Sequence, residues 1–359
     1  MFGTKSRFSR RCLLGTTAGL IAATLPEVRA AQEIGQTTSD RGTSGRDNIG
    51  KNEIWEHEYW ARKGDVSLFM FRKRLGPPQS GPSLPVLFLA HGSSVSARPT
   101  FDLTVPGHGE YSMMDKFAEH GFDVWTMDFE GYGRSSRTPG NSDIASGAED
   151  LKAAVKVILE ETGRSRLNFY GESSGALRAG AFAMACPERV DRLLFVSLTW
   201  TGQGSPTLAK RANLLDFYRT HNTRSRDREM ITSIFTRDKP GTSDPAVAEA
   251  MADAEMKFGD TVPTGSYLDM ITRLPIIDPT QLHMPVFIAR GEYDGIATEE
   301  DVLNFFRKLR TSQRELVFLP GASHAVALGI NRRQLWHVMR SFLMCLLDWM
   351  FRQRITCRM

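Results

Sequence analysis

The stretch that decides the fold is "LNFYGESSGALRAG", residues 167–180. Leu167, Phe169 and Tyr170 have the apolar and aromatic character of a buried strand. A glycine-rich turn follows, and then a run of small residues with helical spacing, Ala176 to Ala183. Two serines between two glycines at a strand end could form a tight turn and nothing more, or they could present a nucleophile. The rest of the chain has to distinguish these two interpretations.

The turn itself fits a pattern that is typical of reactive serines. Gly171-Glu172-Ser173-Ser174-Gly175 matches G-x-S-x-G between a predicted strand and a predicted helix. The central residue of such a turn takes a strained backbone conformation, and side chains two positions before and after it would collide, so glycine is required at both. The geometry pushes the hydroxyl of Ser173 out at the end of the sheet. The motif therefore predicts that Ser173 is a nucleophile.

A serine hydroxyl reacts poorly at neutral pH, so it needs a base that an acid orients. In "ARGEYDGIAT", Asp294 follows a predicted strand, and in "LPGASHAVAL", His324 follows the next one. The order Ser, Asp, His, with each residue in a loop at the carboxyl end of a strand, is the order of the α/β-hydrolase triad. Glu292 and Glu299 are rival acids, but the G-x-x-D spacing favours Asp294.

A tetrahedral oxyanion needs two N–H donors. One is expected from Ser174, the residue after the nucleophile, and the other from Ser93, which directly follows the strand "VLFLAHG". The pair His108-Gly109 is a second HG dipeptide, but it follows a loop. Around these donors we expect substrate contacts from four side chains: His91, Phe101, His108 and Trp200. Phe101 and His108 lie in an unusually long loop, and they could instead only pack that loop.

Short apolar strands alternate with helical segments along most of the chain. The predicted strands are residues 86–92, 123–129, 166–171, 192–198, 285–291 and 315–321. Helical patterns such as residues 142–161 and 174–185 separate them. Continuous apolar strands of this kind indicate a parallel sheet that is covered on both faces. Upstream, two β-like runs joined by Lys63-Gly64-Asp65 predict a β-hairpin. We therefore expect a mostly parallel, doubly wound α/β sheet with an N-terminal β-hairpin.

Residues 201–279 interrupt this alternation within a domain predicted to span residues 53–352. The interval contains helical stretches but no convincing strand, and it separates two sheet strands. It is therefore predicted to be a helical lid beside Ser173. Its basic cluster Arg224, Arg226 and Arg228 alternates with acidic residues, which favours a solvated helix face over anion binding.

Five motifs together resemble the α/β-hydrolase superfamily over roughly residues 55–352. They are the HG dipeptide at 91, "DFEGYGRSS" from Asp128, "GESSG" at 171, "GEYDG" at 291 and "GASH" at 321. The resemblance implies an esterase- or lipase-like serine hydrolase. Dehalogenases and epoxide hydrolases of the superfamily place aspartate where this chain has Ser173, which disfavours both activities.

The expected reaction is acyl transfer to water on a small molecule, with esters and lactones as the simplest substrates. An amide, a carbamate or a C–C bond could be cleaved by the same triad, and a non-catalytic binding protein could also keep the fold. Cys186, Cys345 and Cys357 have no metal-ligand spacing, so we expect no metal site and no cofactor. A bridge between Cys345 and Cys357 is possible in an oxidising compartment.

The first thirty residues have the pattern of an export signal. Arg10-Arg11 precede an apolar run from Leu13 to Leu25, and "VRA" at 28–30 fits a cleavage site. The paired arginines resemble the twin-arginine type, which predicts a periplasmic or secreted protein. Residues 31–52 are rich in glycine, serine and threonine, so they are predicted to be a flexible linker.

The signal also accounts for the basic character of the chain. Its basic residues against Glu27 give residues 1–30 a net charge of +4, and the whole chain also carries +4. The mature protein is then nearly neutral. We therefore expect neither nucleic acid nor a stable membrane association after the signal is removed. The basic residues concerned are Lys5, Arg7, Arg10, Arg11 and Arg29.

Overall fold

The structure is a computed structural model, and it describes residues 53–80 and 83–356. The predicted signal peptide, residues 1–30, and the predicted linker, residues 31–52, lie outside the described residues. The Cys345–Cys357 bridge also lies outside them, because Cys357 is not among them.

An eight-stranded sheet is the centre of the fold, and its strand order is β1-β2-β6-β3-β7-β8-β11-β12. All pairs from β6 to β12 are parallel, whereas β1–β2 and β2–β6 are antiparallel. Its strands are β1 (Ile54–Lys63), β2 (Val66–Leu75), β3 (Val86–Ala90), β6 (Asp123–Met127), β7 (Leu167–Glu172), β8 (Val190–Val196), β11 (Val286–Gly291) and β12 (Arg314–Leu319). Two small two-stranded sheets pair β4 (Asp102–Thr104) with β5 (Glu110–Ser112) and β9 (Thr223–Ser225) with β10 (Thr261–Pro263).

Helices occupy both faces of the sheet and most of the interval between β8 and β11. They are α1 (Ala97–Phe101), α2 (Met113–Glu119), α3 (Ile144–Thr162), α4 (Ser174–Ala185), α5 (Pro206–Ala212), α6 (Leu215–Thr220), α7 (Arg228–Ser233), α8 (Pro245–Glu255), α9 (Gly265–Thr272), α10 (Glu299–Lys308) and α11 (Arg332–Thr356). Single 3₁₀ turns lie at Pro78–Ser80, Pro187–Arg189, Met256–Phe258, Pro279–Gln281 and Val326–Leu328.

This architecture confirms the predicted fold class, an α/β-hydrolase fold with a mostly parallel sheet and flanking helices. The predicted hairpin forms with Gly64 in the left-handed region at φ 57°, where a residue without Cβ is favoured. The continuous apolar strands are buried because helices cover the sheet on both sides. On one face Leu151, Phe182 and Phe305 of α3, α4 and α10 pack against the strands, and on the other Phe117 of α2 and Met339 of α11 do so.

The first part of the last helix packs on the sheet. Leu335, Trp336 and Met339 of α11 are buried in the core on that face. Within residues 53–80 and 83–356, no helix combines the length and the apolar character needed to cross a lipid bilayer.

The interval 201–279, called the insert below, differs from its prediction in one respect. It contains five helices, but it also contains two strands, β9 and β10, which pair with each other in antiparallel register. The expectation that it lacks strands is therefore wrong, because three-residue strands are too short to give a periodic pattern. Its own small core joins Ile231 and Phe235 to Val247 and Met251 of α8 and to Leu103 of β4.

Candidate active site

Ser173 lies at the junction of β7 and α4 in a strained conformation. Its backbone has φ 57° and ψ −121°, and its N–H donates to the carbonyl oxygen of Val196 on β8. A Cβ on Gly171 would lie 2.5 Å from the carbonyl oxygen of Gly175, and a Cβ on Gly175 would collide with the carbonyl oxygen of Ala90. Both glycines are therefore required, which is the reason the motif keeps them two positions from Ser173.

The structure brings the three predicted triad residues together. Nε2 of His324 lies 3.0 Å from Oγ of Ser173, and Nδ1 of His324 lies 2.8 Å from Oδ1 of Asp294. Because an ionised carboxylate only accepts hydrogen bonds, Nδ1 carries the proton and Nε2 is left to accept one from the serine. The three residues follow β7, β11 and β12, whose carboxyl ends meet at one edge of the sheet.

Asp294 is held rigidly beneath His324. Its Oδ1 also accepts hydrogen bonds from the N–H groups of Ile296 and Ala297, at 2.9 Å each. Burial alone would raise the pKa of this carboxyl, but the His324 ring and the two N–H groups outweigh burial and hold its pKa below the ordinary value. Because its pKa is lowered, Asp294 stays ionised beside the imidazole. The rival acids Glu292 and Glu299 make no hydrogen bond to His324.

The two predicted oxyanion donors lie on either side of the serine. Ser174 is the first residue of α4 and is fully buried. Ser93 follows Gly92, and a Cβ on Gly92 would lie 3.4 Å from Cβ of Ser173, so this loop passes directly beside the nucleophile. Both residues therefore adjoin the nucleophile, and their backbone N–H groups stay the predicted oxyanion donors.

His91 was expected to contact substrate, and its placement contradicts this. Its side chain is 0 % exposed. Its Nε2 accepts from the N–H of Phe129 at 3.2 Å, which leaves Nδ1 to donate to the carbonyl oxygen of Gly92 at 2.8 Å. Burial, with the nearby charge of Arg178, lowers its pKa to about 3, so the ring is neutral. His91 shapes the loop that carries Ser93 and has no face left for a substrate.

Phe101 and His108, the two predicted substrate contacts of the long loop, have different surroundings. Phe101 is 0 % exposed and packs edge-on against Tyr170 in the core. The side chain of His108 is partly exposed, and its Nδ1 lies 2.7 Å from Oδ2 of Asp244 at the start of α8. Phe101 is therefore closed to substrate, whereas contact of His108 with substrate stays a prediction, because its side chain makes a hydrogen bond at the surface and is still partly exposed.

Trp200 is buried against α10, where its ring packs on Phe305. Its Nε1–H donates to the carbonyl oxygen of Ile277 at 2.9 Å. It borders a groove of about 320 Å³ together with Pro279 and Lys308, and none of the three predicted triad residues lines that groove. Trp200 therefore belongs to the packing between the insert and α10, and its expected role in substrate binding is not supported.

Sequence reasoning missed the contacts that α9 makes to the Ser93 loop. The hydroxyl of Tyr267 lies 2.7 Å from Oγ of Ser94, and the hydroxyl of Ser266 donates to Oγ of Ser93 at 2.8 Å. From the other side, the hydroxyl of Tyr132 donates to the carbonyl oxygen of Ser93 at 2.9 Å. The loop is thus fixed by hydroxyl groups from two directions. No local sequence pattern marks these hydroxyls.

A buried ion pair connects the insert to the same loop. Nη1 of Arg226 donates to Oε2 of Glu255 at 2.5 Å and to the carbonyl oxygen of Ser94 at 3.1 Å. Oε1 of Glu255 accepts from both the N–H and the hydroxyl of Ser96, at 2.6 and 2.7 Å. These bonds pair the two buried charges, and of their polar atoms only Nε of the Arg226 guanidinium has no hydrogen-bond partner among the described residues.

The basic cluster of the insert was expected to be one solvated helix face, and this expectation is wrong. Arg226 is buried, Arg224 lies on β9, and only Arg228 is exposed on a helix, α7. Alternation of basic and acidic residues cannot distinguish a strand from a helix face over so short a run.

Asp238 is a further residue that sequence reasoning missed. It comes from the insert, its side chain is 3 % exposed, and its Oδ2 accepts the backbone N–H of His324 at 3.2 Å. A Cβ on Gly295 would lie 2.6 Å from its Oδ1, so Asp238 touches both the loop of Asp294 and the loop of His324.

Glu172 adds a carboxyl group directly before the nucleophile. Its Oε2 accepts from the hydroxyl of Tyr170 at 2.9 Å. Burial raises its pKa, and the charge of Asp294 acts in the same direction, whereas Tyr170 and His324 oppose the rise. The site therefore holds a second, more easily protonated carboxyl beside the ionised Asp294.

The fold identifies a hydrolase of the α/β-hydrolase class. The model of the family described as serine aminopeptidase, S33 matches residues 105–329, which is more than half of the chain. The chain therefore belongs to this family.

Individual relatives are more distant. A 2-hydroxy-6-oxononadienedioate/2-hydroxy-6-oxononatrienedioate hydrolase of Paraburkholderia phymatum is 32% identical over 130 residues, which cover 36% of this chain and only 40% of that protein. The 2-hydroxy-6-oxo-6-phenylhexa-2,4-dienoate hydrolase of Rhodococcus sp. strain RHA1 has a similar structure, with a TM-score of 0.56, 22% identity and coverage of 81% and 98% of the two chains. A thermophilic esterase from Thermogutta terrifontis gives a TM-score of 0.58, 19% identity and coverage of 80% and 98%. At these identities the structural likeness concerns the fold.

Proposed function

We propose that the protein hydrolyses a carboxylic ester or lactone through an acyl-enzyme, with Ser173, His324 and Asp294 as the catalytic residues. The observation that carries this proposal is the continuous hydrogen-bonded line from Ser173 Oγ through the His324 ring to Asp294. The strained backbone at Ser173 supports it, because residues keep such conformations chiefly at functional sites.

In the first half-reaction Oγ of Ser173 attacks the carbonyl carbon while Nε2 of His324 removes its proton. The new C–O bond makes a tetrahedral intermediate, and its oxyanion accepts hydrogen bonds from the N–H groups of Ser93 and Ser174. His324 then gives the proton to the leaving alkoxide as the C–O bond to the alcohol breaks. Asp294 keeps the imidazole oriented and stabilises its charged form.

In the second half-reaction His324 takes a proton from water, and the resulting hydroxide attacks the acyl carbon. The bond to Oγ breaks, the proton returns to Ser173, and the carboxylic acid leaves. An ester or lactone fits most simply because an alkoxide leaves more readily than an amine.

Purified mature protein and a panel of 4-nitrophenyl esters, lactones, amides and carbamates test this proposal. We expect release of 4-nitrophenol from at least one short-chain ester and weaker activity on matched amides. Labelling of Ser173 by a fluorophosphonate should abolish that release. Labelling without loss of activity, or no turnover of any acyl substrate, would refute the proposal.

Cleavage of a C–C bond is a second candidate function, and the relative from Paraburkholderia phymatum favours it, since its name describes a hydrolase of 2-hydroxy-6-oxo acids. The same three residues would serve. A 2-hydroxy-6-oxohexa-2,4-dienoate, which loses its conjugated chromophore on cleavage, separates the two functions. Higher kcat/KM on this compound than on any ester would make C–C hydrolysis the main activity.

We also propose that residues 201–279 act as a lid that sets substrate choice. The contacts of Asp238, Tyr267 and Arg226 with the loops around Ser173 support this role. Exchange of the insert for that of a related hydrolase should change the ranking of substrates while some esterase activity survives. An unchanged ranking would place specificity outside the insert.

Export through a twin-arginine-type signal is proposed from Arg10-Arg11 and "VRA" at 28–30. Replacing both arginines by lysine should leave the precursor in the cytoplasm, which cell fractionation and the N-terminal sequence of the product would reveal. An unchanged periplasmic fraction would reject the twin-arginine assignment.

A further inference from the structure

Two arginines of the insert flank one tyrosine, and a third lies near one of them. The guanidinium carbons of Arg211 on α5 and Arg224 on β9 lie 5.0 and 5.1 Å from the centroid of the Tyr267 ring. The ring of Tyr218 stacks on Tyr267 with centroids 5.6 Å apart. Arg237, which follows α7, is close enough for its charge to act on Arg211. These three arginines are called the arginine cluster below.

No carboxylate compensates Arg211 or Arg224 within the described ranges. The titratable groups that act on Arg211 are two tyrosines and the two other arginines. Burial lowers its pKa to about 10, and the like charges of Arg237 and Arg224 act in the same direction. The neighbouring Arg226 and Arg228, by contrast, both pair with carboxylates. Arg211 and Arg224 are thus two partly buried like charges, whereas Arg237 is exposed and lies 3.5 Å from Asp238. Such a pair of like charges is unfavourable unless an anion joins it.

The arginine cluster reaches both sides of the nucleophile. On one side, Tyr267 is hydrogen-bonded to Ser94, in the loop that passes Ser173 at Gly92. On the other side, Nε of Arg237 lies 3.5 Å from Oδ1 of Asp238, which accepts the N–H of His324. Through Tyr267 and Asp238 the arginine cluster is therefore connected to the two loops that adjoin Ser173, the Gly92 loop and the His324 loop.

The helix that carries Arg211 is fixed in the same place. The N–H of Thr207 on α5 donates to the carbonyl oxygen of Gly295 at 3.4 Å, next to Asp294. Helix α5, which carries Arg211, is therefore bonded to the loop of Asp294, and Arg226, two residues after Arg224, is bonded to the loop of Ser94. Both arginines thus lie on elements that contact the loops around Ser173.

We propose that Arg211 and Arg224 of the arginine cluster bind a carboxylate of the substrate, so that the natural substrate is an anionic acid derivative such as the monoester of a dicarboxylic acid. The proposal rests on the proposed function for the reacting bond and adds the substrate class. Guanidinium groups match the planar carboxylate with paired N–H donors. A peptide amino terminus is a cation, and the arginine cluster would repel it.

Two 4-nitrophenyl esters of equal chain length test the proposal: the glutarate monoester, which carries a free carboxylate, and the neutral pentanoate. We expect the wild-type protein to have the higher kcat/KM for the glutarate monoester. Arg211→Gln should lower that kcat/KM roughly 10- to 100-fold, as the loss of a charge-assisted contact implies, and should leave the pentanoate value within about 3-fold. Arg224→Gln should act in the same direction.

Arg228→Gln is the matched control, because Arg228 lies in the same insert but is exposed and paired with Glu249 and Asp253. It should change neither ester by more than about 3-fold. If the wild type hydrolyses pentanoate as well as the glutarate monoester, or if Arg211→Gln lowers both equally, the carboxylate site is refuted while the esterase function stands.

A binding measurement makes the test independent of turnover. Glutarate should bind to Ser173→Ala in calorimetry, and the additional change Arg211→Gln should weaken this binding roughly 10-fold or more. Failure of the wild type on every ester would refute the proposed function, and the calorimetry would still test the arginine cluster. Absence of glutarate binding together with no preference for the anionic ester would overturn the inference.

Discussion

The sheet and the insert both place residues around Ser173, but they do so by different means. Ser173, Asp294 and His324 each follow a parallel strand, so the sheet alone brings them to one edge. Asp238, Tyr267 and Arg226 come from short helices and turns, and each reaches the site through a specific long-range contact. The difference suggests a division of labour, in which regular strands position the chemistry and irregular segments adjust it and select the substrate.

Ser173→Ala is the variant with the largest expected effect, and it tests whether the sheet positions the catalytic residues. We expect kcat for ester hydrolysis to fall by about 10⁴-fold or more, because only oxyanion stabilisation and binding remain. The fold should persist, since the strained turn loses only a hydroxyl. Release of 4-nitrophenol measures the loss of kcat, and circular dichroism of the same sample shows whether the fold persists.

Ser174→Ala is the matched control for this change. The hydroxyl of Ser174 is buried, and within the described part of the chain it has no hydrogen-bond partner. Because its proposed role uses only the backbone N–H, we expect activity within about 3-fold of wild type. An inactive Ser174→Ala together with an active Ser173→Ala would show that Ser174 is the nucleophile. The residue that the sheet presents for catalysis would then have been assigned wrongly.

The same difference explains what could be predicted from the sequence. The positions of the parallel strands along the chain, and of the three loops after β7, β11 and β12, follow from local motifs. Helix α4 begins and ends where the pattern predicts, at Ser174 and Ala185. The burial of Arg226 depends on Glu255, which lies 29 positions away, and no local pattern contains that information.

The side chains proposed for substrate contact show the same limit. His91 and Phe101 have the expected positions along the chain, but their side chains point into packed surroundings, because a loop position does not fix a side-chain direction. Tyr267, which reaches the loop beside the nucleophile through Ser94, lies 173 positions further along the chain than Ser94. Only the fold brings them together.

Glu255→Gln tests whether the insert and the sheet form one cooperative unit. The change leaves the buried Arg226 without its counter-charge, so we expect the free energy of unfolding to fall by about 3–5 kcal/mol in urea titration. If tryptophan fluorescence and ester hydrolysis are lost at the same urea concentration, the insert and the sheet unfold together, and the Arg226–Glu255 pair stabilises both. If hydrolysis were lost at a lower urea concentration than the fluorescence signal, the insert would unfold separately and the two regions would not form one cooperative unit.

The double change Glu255→Leu with Arg226→Met is the control for this experiment. It removes both charges together, and we expect it to recover a large part of the lost stability, since apolar replacements of a buried pair are often neutral. A double variant as unstable as Glu255→Gln would mean that the hydrogen bonds to Ser94 and Ser96, and not the charge balance, carry the effect.

Asp238 gives the smallest expected effect, and it tests whether the insert adjusts the chemistry itself. Its carboxylate holds the backbone N–H of His324, so Asp238→Ala should let the imidazole drift from Ser173 and lower kcat roughly 10-fold, with little change in KM. Asp238→Asn keeps an oxygen acceptor at the same place and should restore most of kcat. A residue that only supports the fold would instead lower the melting temperature and leave kcat of the folded protein unchanged. Equal kcat for Asp238→Ala, Asp238→Asn and wild type would therefore confine the chemistry to the sheet, whereas rescue by asparagine would identify Asp238 as a positioning residue supplied by the insert.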